Sequence, residues 1–317
     1  MLVSCVRFVT EGIPLRKVQA GVALLALVAA ACASSTTTSS PAATGSAAQT
    51  AQQCAAGATF VKDGNLTVGT DSPAYPPYFQ GGTQKGSQWD INDPSTGKGF
   101  ESAVAYEIAK RMGFTTDQVN WVIVPFAQSY APGPKQFDFD INQISYSAKR
   151  AQAVDFSESY YDVNQALVVV KGTPIAGATT VGELAPYKLA APLGTTSADL
   201  IESYIGGTAG TYQTLRDAVA AVNAGQADGL VVDYPTALYM ADPYVQEVKN
   251  STVLAQFPND AVAGGEHFGT VQAKGSTLTA CIDLALQEMK SDGALQAITE
   301  EWLSKKTNVG EVPVWSK

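Results

Sequence analysis

Lys188-Leu189-Ala190-Ala191-Pro192-Leu193-Gly194-Thr195-Thr196-Ser197 decides the fold class. A short apolar strand runs out into a Gly-Thr-Thr-Ser turn, and the stretch 199–205 that follows reads as helix. Leu215, Val219 and Val222 then recur at helical spacing, and Gly225 ends that helix. Asp228-Gly229-Leu230-Val231-Val232 is the next strand, stopped by Asp233-Tyr234-Pro235. Upstream, Ala166-Leu167-Val168-Val169-Val170 is a continuous apolar run, the mark of a strand covered on both faces. Strand and helix alternate, so the chain is expected to be α/β, with mostly parallel sheets flanked by helices.

The N-terminal half carries the same grammar. Leu66-Thr67-Val68-Gly69-Thr70 alternates as a strand and ends in a loop at 71–79, where three prolines forbid regular structure and aromatics cluster. The polar, Gly-rich stretch 82–99 reads as a surface excursion or hairpin. Phe100, Val104, Ile108 and Met112 give one apolar helical face, closed by Gly113. Strands are expected at 120–124, between Ile141 and Ile144, and at 269–273. Leu278, Ile282, Ala285 and Met289 form one C-terminal helical face, and Ala294, Leu295, Ile298, Trp302 and Leu303 form another.

The 317-residue chain has a formal net charge of −9. Residues 1–31 combine basic Arg16 and Lys17 with the apolar run 21–31, too short for a bilayer span of roughly 20 residues, and read as a secretory signal. Without its three basic and one acidic residues, 17 basic residues face 28 acidic ones, a net charge of −11. No Lys/Arg stripe appears, which argues against nucleic acid as a partner. Cys32 stands where a lipoprotein signal places its modified cysteine; the alternative is ordinary cleavage with Cys32 incidental. Residues 33–53 are almost all Ala, Ser, Thr, Gly and Gln, so 32–59 is expected to be a flexible, lipid-anchored linker. It would hold an exported domain at the outer face of the cytoplasmic membrane. Cys54 and Cys281 are the cysteines left for the folded region, and an oxidising compartment favours a disulfide over two buried thiols. One histidine, His267, and no Cys/His cluster leave no expectation of a metal or other cofactor.

Asn142-Gln143-Ile144-Ser145-Tyr146-Ser147-Ala148-Lys149-Arg150 follows Phe137-Asp138-Phe139-Asp140-Ile141 and precedes 153–161. This arrangement resembles the carboxylate-clamping segment of bacterial extracellular solute-binding proteins of the polar amino-acid-binding family, which serve ABC importers. The resemblance covers about residues 60–305. It implies a two-lobe, type II periplasmic-binding-protein-like fold: 60–164 in lobe 1, 165–264 in lobe 2, and 265–317 returning to lobe 1 with a tail. The hinge would lie near Val163-Asn164-Gln165 and Ala263-Gly264-Gly265. It assigns Arg150 to a ligand α-carboxylate, a role that suits a planar guanidinium with two parallel donors. The alternative for Arg150 is a surface residue that caps a helix or pairs with Glu158. Gly194, Thr195, Thr196 and Ser197 would clamp the same carboxylate from the second lobe, or simply cap a helix. Asp233 and Ser145 would receive the α-ammonium, with a helix cap ahead of Pro235 as the alternative for Asp233. Asp71 and Tyr75 would meet the ligand side chain, with Tyr78 or Phe79 as an apolar wall. Glu101 replaces a usual Asp, and Asn142 and Gln143 replace small residues, making the pocket floor tighter or more polar. The implied function is capture of a free amino acid, leaning to a basic or amide side chain, by a non-enzymatic monomer that docks on a permease. The alternative is an enzyme on the same scaffold, dehydratase-like or peptidoglycan-lyase-like, using Glu101, Glu158 or Asp233.

Overall fold

A computed structural model describes residues 49–317 except Gln84, Ala263 and 305–310. The expected signal segment and Cys32 lie outside those residues. Lobe 1 is built on β1 (Leu66–Thr70), β2 (Val119–Ile123), β3 (Phe139–Asp140), β4 (Val154–Phe156) and β12 (Val271–Ala273), in the order β2-β1-β3-β12-β4. Lobe 2 is built on β6 (Gln165–Val170), β7 (Leu189–Pro192), β8 (Ala209–Tyr212), β9 (Gly229–Asp233) and β10 (Ser251–Phe257), in the order β10-β6-β9-β7-β8. Strands β1, β2 and β3 run parallel, as do β7, β8 and β9. The apolar run of β6 is buried along nearly its whole length, but the strand pairs antiparallel with both β9 and β10. Strand β12 likewise runs antiparallel to β3 and β4. Each of these strands enters its sheet straight from the crossing between lobes, without the helical return that parallel neighbours need.

Helix α2 (Phe100–Arg111) buries Phe100, Val104 and Ile108, with Met112 at its C-cap, so the four-residue spacing marks a core face. Its entry is tight. Gly99 has φ 99°, and a Cβ there would lie 2.4 Å from the Tyr78 carbonyl oxygen, so this position excludes a side chain. That carbonyl accepts the Glu101 N–H at 3.0 Å, which fixes the aromatic loop 71–79 against the helix start. The stretch 82–99 forms a loop with a single 3-10 turn at Pro94–Thr96 and contributes no strand among its described residues. The remaining helices are α3 (Phe126–Ser129), α4 (Thr196–Leu200), α5 (Leu215–Asn223), α6 (Tyr234–Met240), α7 (Leu278–Ser291) and α8 (Ala294–Thr299). Helix α7 buries all four residues of its expected face.

The linker expectation fails at its C-terminal end. Residues Ala51–Ala55 form α1, closed by a capping box between Thr50 and Gln53. Ala51 and Ala55 are buried, the Ala51 N–H donates to Glu288 of α7 at 3.0 Å, and Cys54 is disulfide-bonded to Cys281 of α7 with Cα atoms 5.3 Å apart. Ala-rich composition suits a helix as well as a tether, and contacts with α7 decide between them.

Two extended segments cross between the lobes, and β5 (Tyr161–Asp162) pairs antiparallel with β11 (His267–Phe268) where they meet. Val163-Asn164-Gln165 follows β5, and Gly264-Gly265, both at positive φ, precede β11; Ala263, also named for the hinge, lies outside the described residues. The tail does not stay with lobe 1. Gln256 of β10 donates its N–H to Pro313 and accepts that of Trp315, and Val312 is buried in the lobe 2 core.

Candidate functional site

A cleft of about 580 Å³ lies between the lobes. Asp71, Tyr75, Asn142, Ser145, Arg150, Thr195, Thr196, Ser197 and Asp233 line it together. Tyr78 and Gly194 stand outside the lining. Tyr78 is 1% exposed and its hydroxyl shares a hydrogen bond with Thr236 of lobe 2 at 3.2 Å, so Phe79 takes the wall position instead. Gly194 contributes its carbonyl oxygen, which accepts from Arg150 and from the Tyr130 hydroxyl.

Arg150 follows the polar turn after β3 and is buried. Its Nη1 donates to the Ser145 carbonyl at 2.7 Å and its Nη2 to the Gly194 carbonyl of lobe 2 at 2.8 Å. The guanidinium lies 4.4 Å from the Tyr130 ring centroid and 5.4 Å from that of Phe126. Stacking on two aromatic faces holds the fork rigid and directs it at the cleft. The alternative pairing with Glu158 does not occur; Glu158 meets Lys290 at 3.1 Å on the surface. Two of five N–H groups are engaged by backbone carbonyls, leaving donors for an anion. Nearby, the buried Asn142 Nδ2 has no hydrogen-bond partner, a further donor on the same floor.

The Gly-Thr-Thr-Ser turn divides its labour. Thr195 is an ordinary cap: its Oγ1 accepts the Ala198 N–H and donates to the Pro192 carbonyl. Thr196 donates to the Glu266 carboxylate, and Ser197 donates to Gln165 Oε1 at 2.7 Å. Asp233 precedes α6 without capping it; instead it accepts from Gln165 Nε2 at 2.6 Å and lines the cleft. Burial, and then the neighbouring Glu266 charge, hold the Asp233 carboxyl well above the usual range. Asp71 accepts the N–H groups of Ser72 at 2.7 Å and Phe126 at 3.3 Å, so it braces its own loop while facing the cleft. Burial raises its pKa despite those two donors.

Glu101 does not serve its own helix terminus. It accepts from the Gln143 backbone at 2.6 Å and side chain and from the Tyr160 hydroxyl at 2.5 Å, holding Gln143 at φ 47° on the cleft floor. Of the carboxylates named for an enzyme reading, Asp233 lines the cleft, whereas Glu101 and Glu158 do not. His267 stacks on Tyr146 beside the crossing strands, with ring centroids 5.3 Å apart. Among the described residues no group of three or more His, Cys, Asp or Glu is placed to hold a metal ion, and no helix is long and apolar enough to cross a membrane.

Sequence reasoning missed Glu266, Gln165, Phe126, Tyr130 and the pair Asp90–Arg216. Glu266 is fully buried beside the Gly264-Gly265 crossing and accepts from Ser145, Thr196 and Gln165. A carboxylate next to two glycines at an expected hinge was the available signal. Asp90 and Arg216 come from opposite lobes, line the same cleft and approach to 3.6 Å.

The glutamine-binding protein of an ABC transporter in Bacillus subtilis is 28% identical over 221 residues, covering 68% of this chain and 77% of that protein. The L-cystine-binding protein TcyJ of Escherichia coli is 26% identical over 243 residues, covering 75% of this chain and 82% of its own length. Among solved structures, an ancestral arginine-binding protein bound to glutamine superposes with a TM-score of 0.60 at 26% identity, over 77% of this chain and all of that one. Residues 66–305, which hold both lobes and the whole cleft lining, match a single family throughout, and the chain belongs to the bacterial extracellular solute-binding proteins, family 3.

Proposed function

We propose that the chain captures a free α-amino acid between its lobes, closes on it, and delivers it to a membrane-embedded ABC permease. One observation carries this reading: a guanidinium from lobe 1 and a carboxylate from lobe 2, Arg150 and Asp233, face one cleft. A zwitterion needs one group of each sign, and a ligand that touches both lobes favours the shut arrangement. Relatives named for glutamine, cystine and arginine support an amino acid as the cargo. Asp71, with Gln213 and Thr214 along the same lining, favours a basic or amide side chain. A lipid on Cys32 would keep the domain beside its permease, and a single binding domain suffices for the task.

Thermal-shift screening against free amino acids tests the cargo, because a tight ligand raises stability by mass action. Calorimetry on Arg150→Ala tests the site. Leaving a desolvated carboxylate unpaired is expected to cost about 2–5 kcal/mol, a loss of at least roughly 30-fold in affinity. A screen without any stabilising amino acid, or unchanged binding in Arg150→Ala, overturns the reading.

A further inference from the structure

We infer that Glu266 is a positioning residue of the ligand site: from beneath the cleft it takes the hydroxyl protons of Ser145 and Thr196, one from each lobe, and so turns both hydroxyls into acceptors for an ammonium group. The inference rests on the amino-acid reading above and deepens it. Glu266 is fully buried and does not line the cleft, yet it reaches two residues that do. Its Oε1 accepts from Ser145 Oγ at 2.7 Å and from Thr196 Oγ1, and these two hydroxyl oxygens lie 3.4 Å apart. Gln165 Nε2 donates to both Glu266 oxygens at 3.0 Å and to Asp233 at 2.6 Å.

The polarity follows from counting protons. Burial raises the Glu266 pKa, but the hydrogen bonds from Thr196, Ser145 and Gln165 favour its ionised form; an ionised carboxylate only accepts, and a hydroxyl has one proton to give. Ser145 and Thr196 therefore give theirs downward and keep lone pairs for the cleft. Gln165 passes the same polarity on. With its N–H groups turned to the two carboxylates, its Oε1 faces Ser197 and accepts that hydroxyl proton too. The side chains of Ser145, Thr196, Ser197 and Asp233 thus all present acceptors to one region. A ligand carboxylate there would meet four acceptors, whereas an ammonium group with three N–H donors and a positive charge fits. The Thr196 and Ser197 hydroxyls accordingly belong to the ammonium end rather than to the carboxylate clamp expected from the sequence. Arg150 and the unpartnered Asn142 Nδ2 are left for the carboxylate.

Glu266→Gln tests this with almost no change in volume. An amide there must aim its N–H either at Gln165 Nε2, donor against donor, or at the two hydroxyls, which then turn their own protons into the cleft. The probes are the free L-amino acid giving the largest thermal shift with wild type, and the carboxylic acid lacking only its α-amino group: glutaramate for L-glutamine, or 5-guanidinopentanoate for L-arginine. Calorimetry should find that Glu266→Gln reduces the preference for the amino acid over its des-amino analogue at least tenfold. If Glu266→Gln does not fold, Thr196→Val, which removes one acceptor and leaves Glu266 in place with Ser145 and Gln165 still donating to it, should reduce the same ratio. Equal weakening of both probes would mean a merely structural Glu266 and overturns the inference, as does unchanged binding. A wild type that binds no amino acid refutes the cargo instead, before the variant is compared.

Discussion

Glu101 sits in the first turn of α2 with no exposed surface, and three donors converge on it from Gln143 and Tyr160. Those donors favour the charged form, but burial outweighs them and pushes the carboxyl up to about 7. The sign of the consequence is fixed by linkage. The native state keeps a proton that the unfolded chain gives up near the ordinary value of 4.5, so stability falls as pH rises from there to about 7. The shift corresponds to about 3 kcal/mol. Glu101→Gln removes this titration, so denaturant unfolding of the ligand-free protein should give curves for variant and wild type that diverge with rising pH, the variant gaining. Parallel curves from pH 4.5 to 8 would disprove it. At this scale the family resemblance singled out Arg150, Ser145 and Asp233, which line one cleft, and Asp233 was marked as well by its place at the end of an apolar strand. It could not tell which of Tyr75, Tyr78 and Phe79 lines the cleft and which meets the other lobe from the core. Glu266 was hidden for another reason: its chemistry exists only when hydroxyls from 145 and 196 meet over it.

Among elements, α1 and α7 give the clearest case of composition misleading and contact deciding. The segment 49–55 reads as tether by its Ala, Gln and Thr, yet its small residues let it lie flat on α7, where Glu288 and Cys281 fasten it. The bond to Cys281 closes a loop across a sequence separation of 227, so it restricts the unfolded chain strongly. Replacing both cysteines by serine is expected to remove about 2–5 kcal/mol of stability. Amide exchange should quicken in 51–55 and the first turns of α7 while the cleft residues keep their protection. Wild-type stability in the double variant would count against the bond as a fastening. Helix faces at 100–112 and 278–289 were legible because their four-residue spacing admits one reading. The direction of β6 was not, since an apolar run says that a strand is covered and is silent on its neighbours' sense.

Across the whole molecule, the contacts between lobes differ in depth, and their depth predicts their worth. The tail was unreadable because 311–317 has no periodicity; its hydrogen bonds to Gln256 and the burial of Val312 give it a place on lobe 2. Arg150 reaches the Gly194 carbonyl from a buried position, and Tyr78 meets Thr236 in the core. The contact at Gly194 is thus made by the residue proposed above to grip the ligand. The pair Asp90–Arg216 lies at the cleft's exposed side, with both side chains 59% accessible at 3.6 Å. Burial opposes charging at Tyr75, and Arg216 offsets part of that effect. An exposed pair gains at most about 1 kcal/mol, and salt screens it. Arg216→Ala should therefore weaken amino-acid binding by less than about fivefold at low ionic strength, and the difference should vanish at high salt. Calorimetry at two salt concentrations checks this. A loss of more than tenfold that persists at high salt would mean that Arg216 holds the ligand itself rather than trimming closure, and the cargo would then have to carry a second charged end.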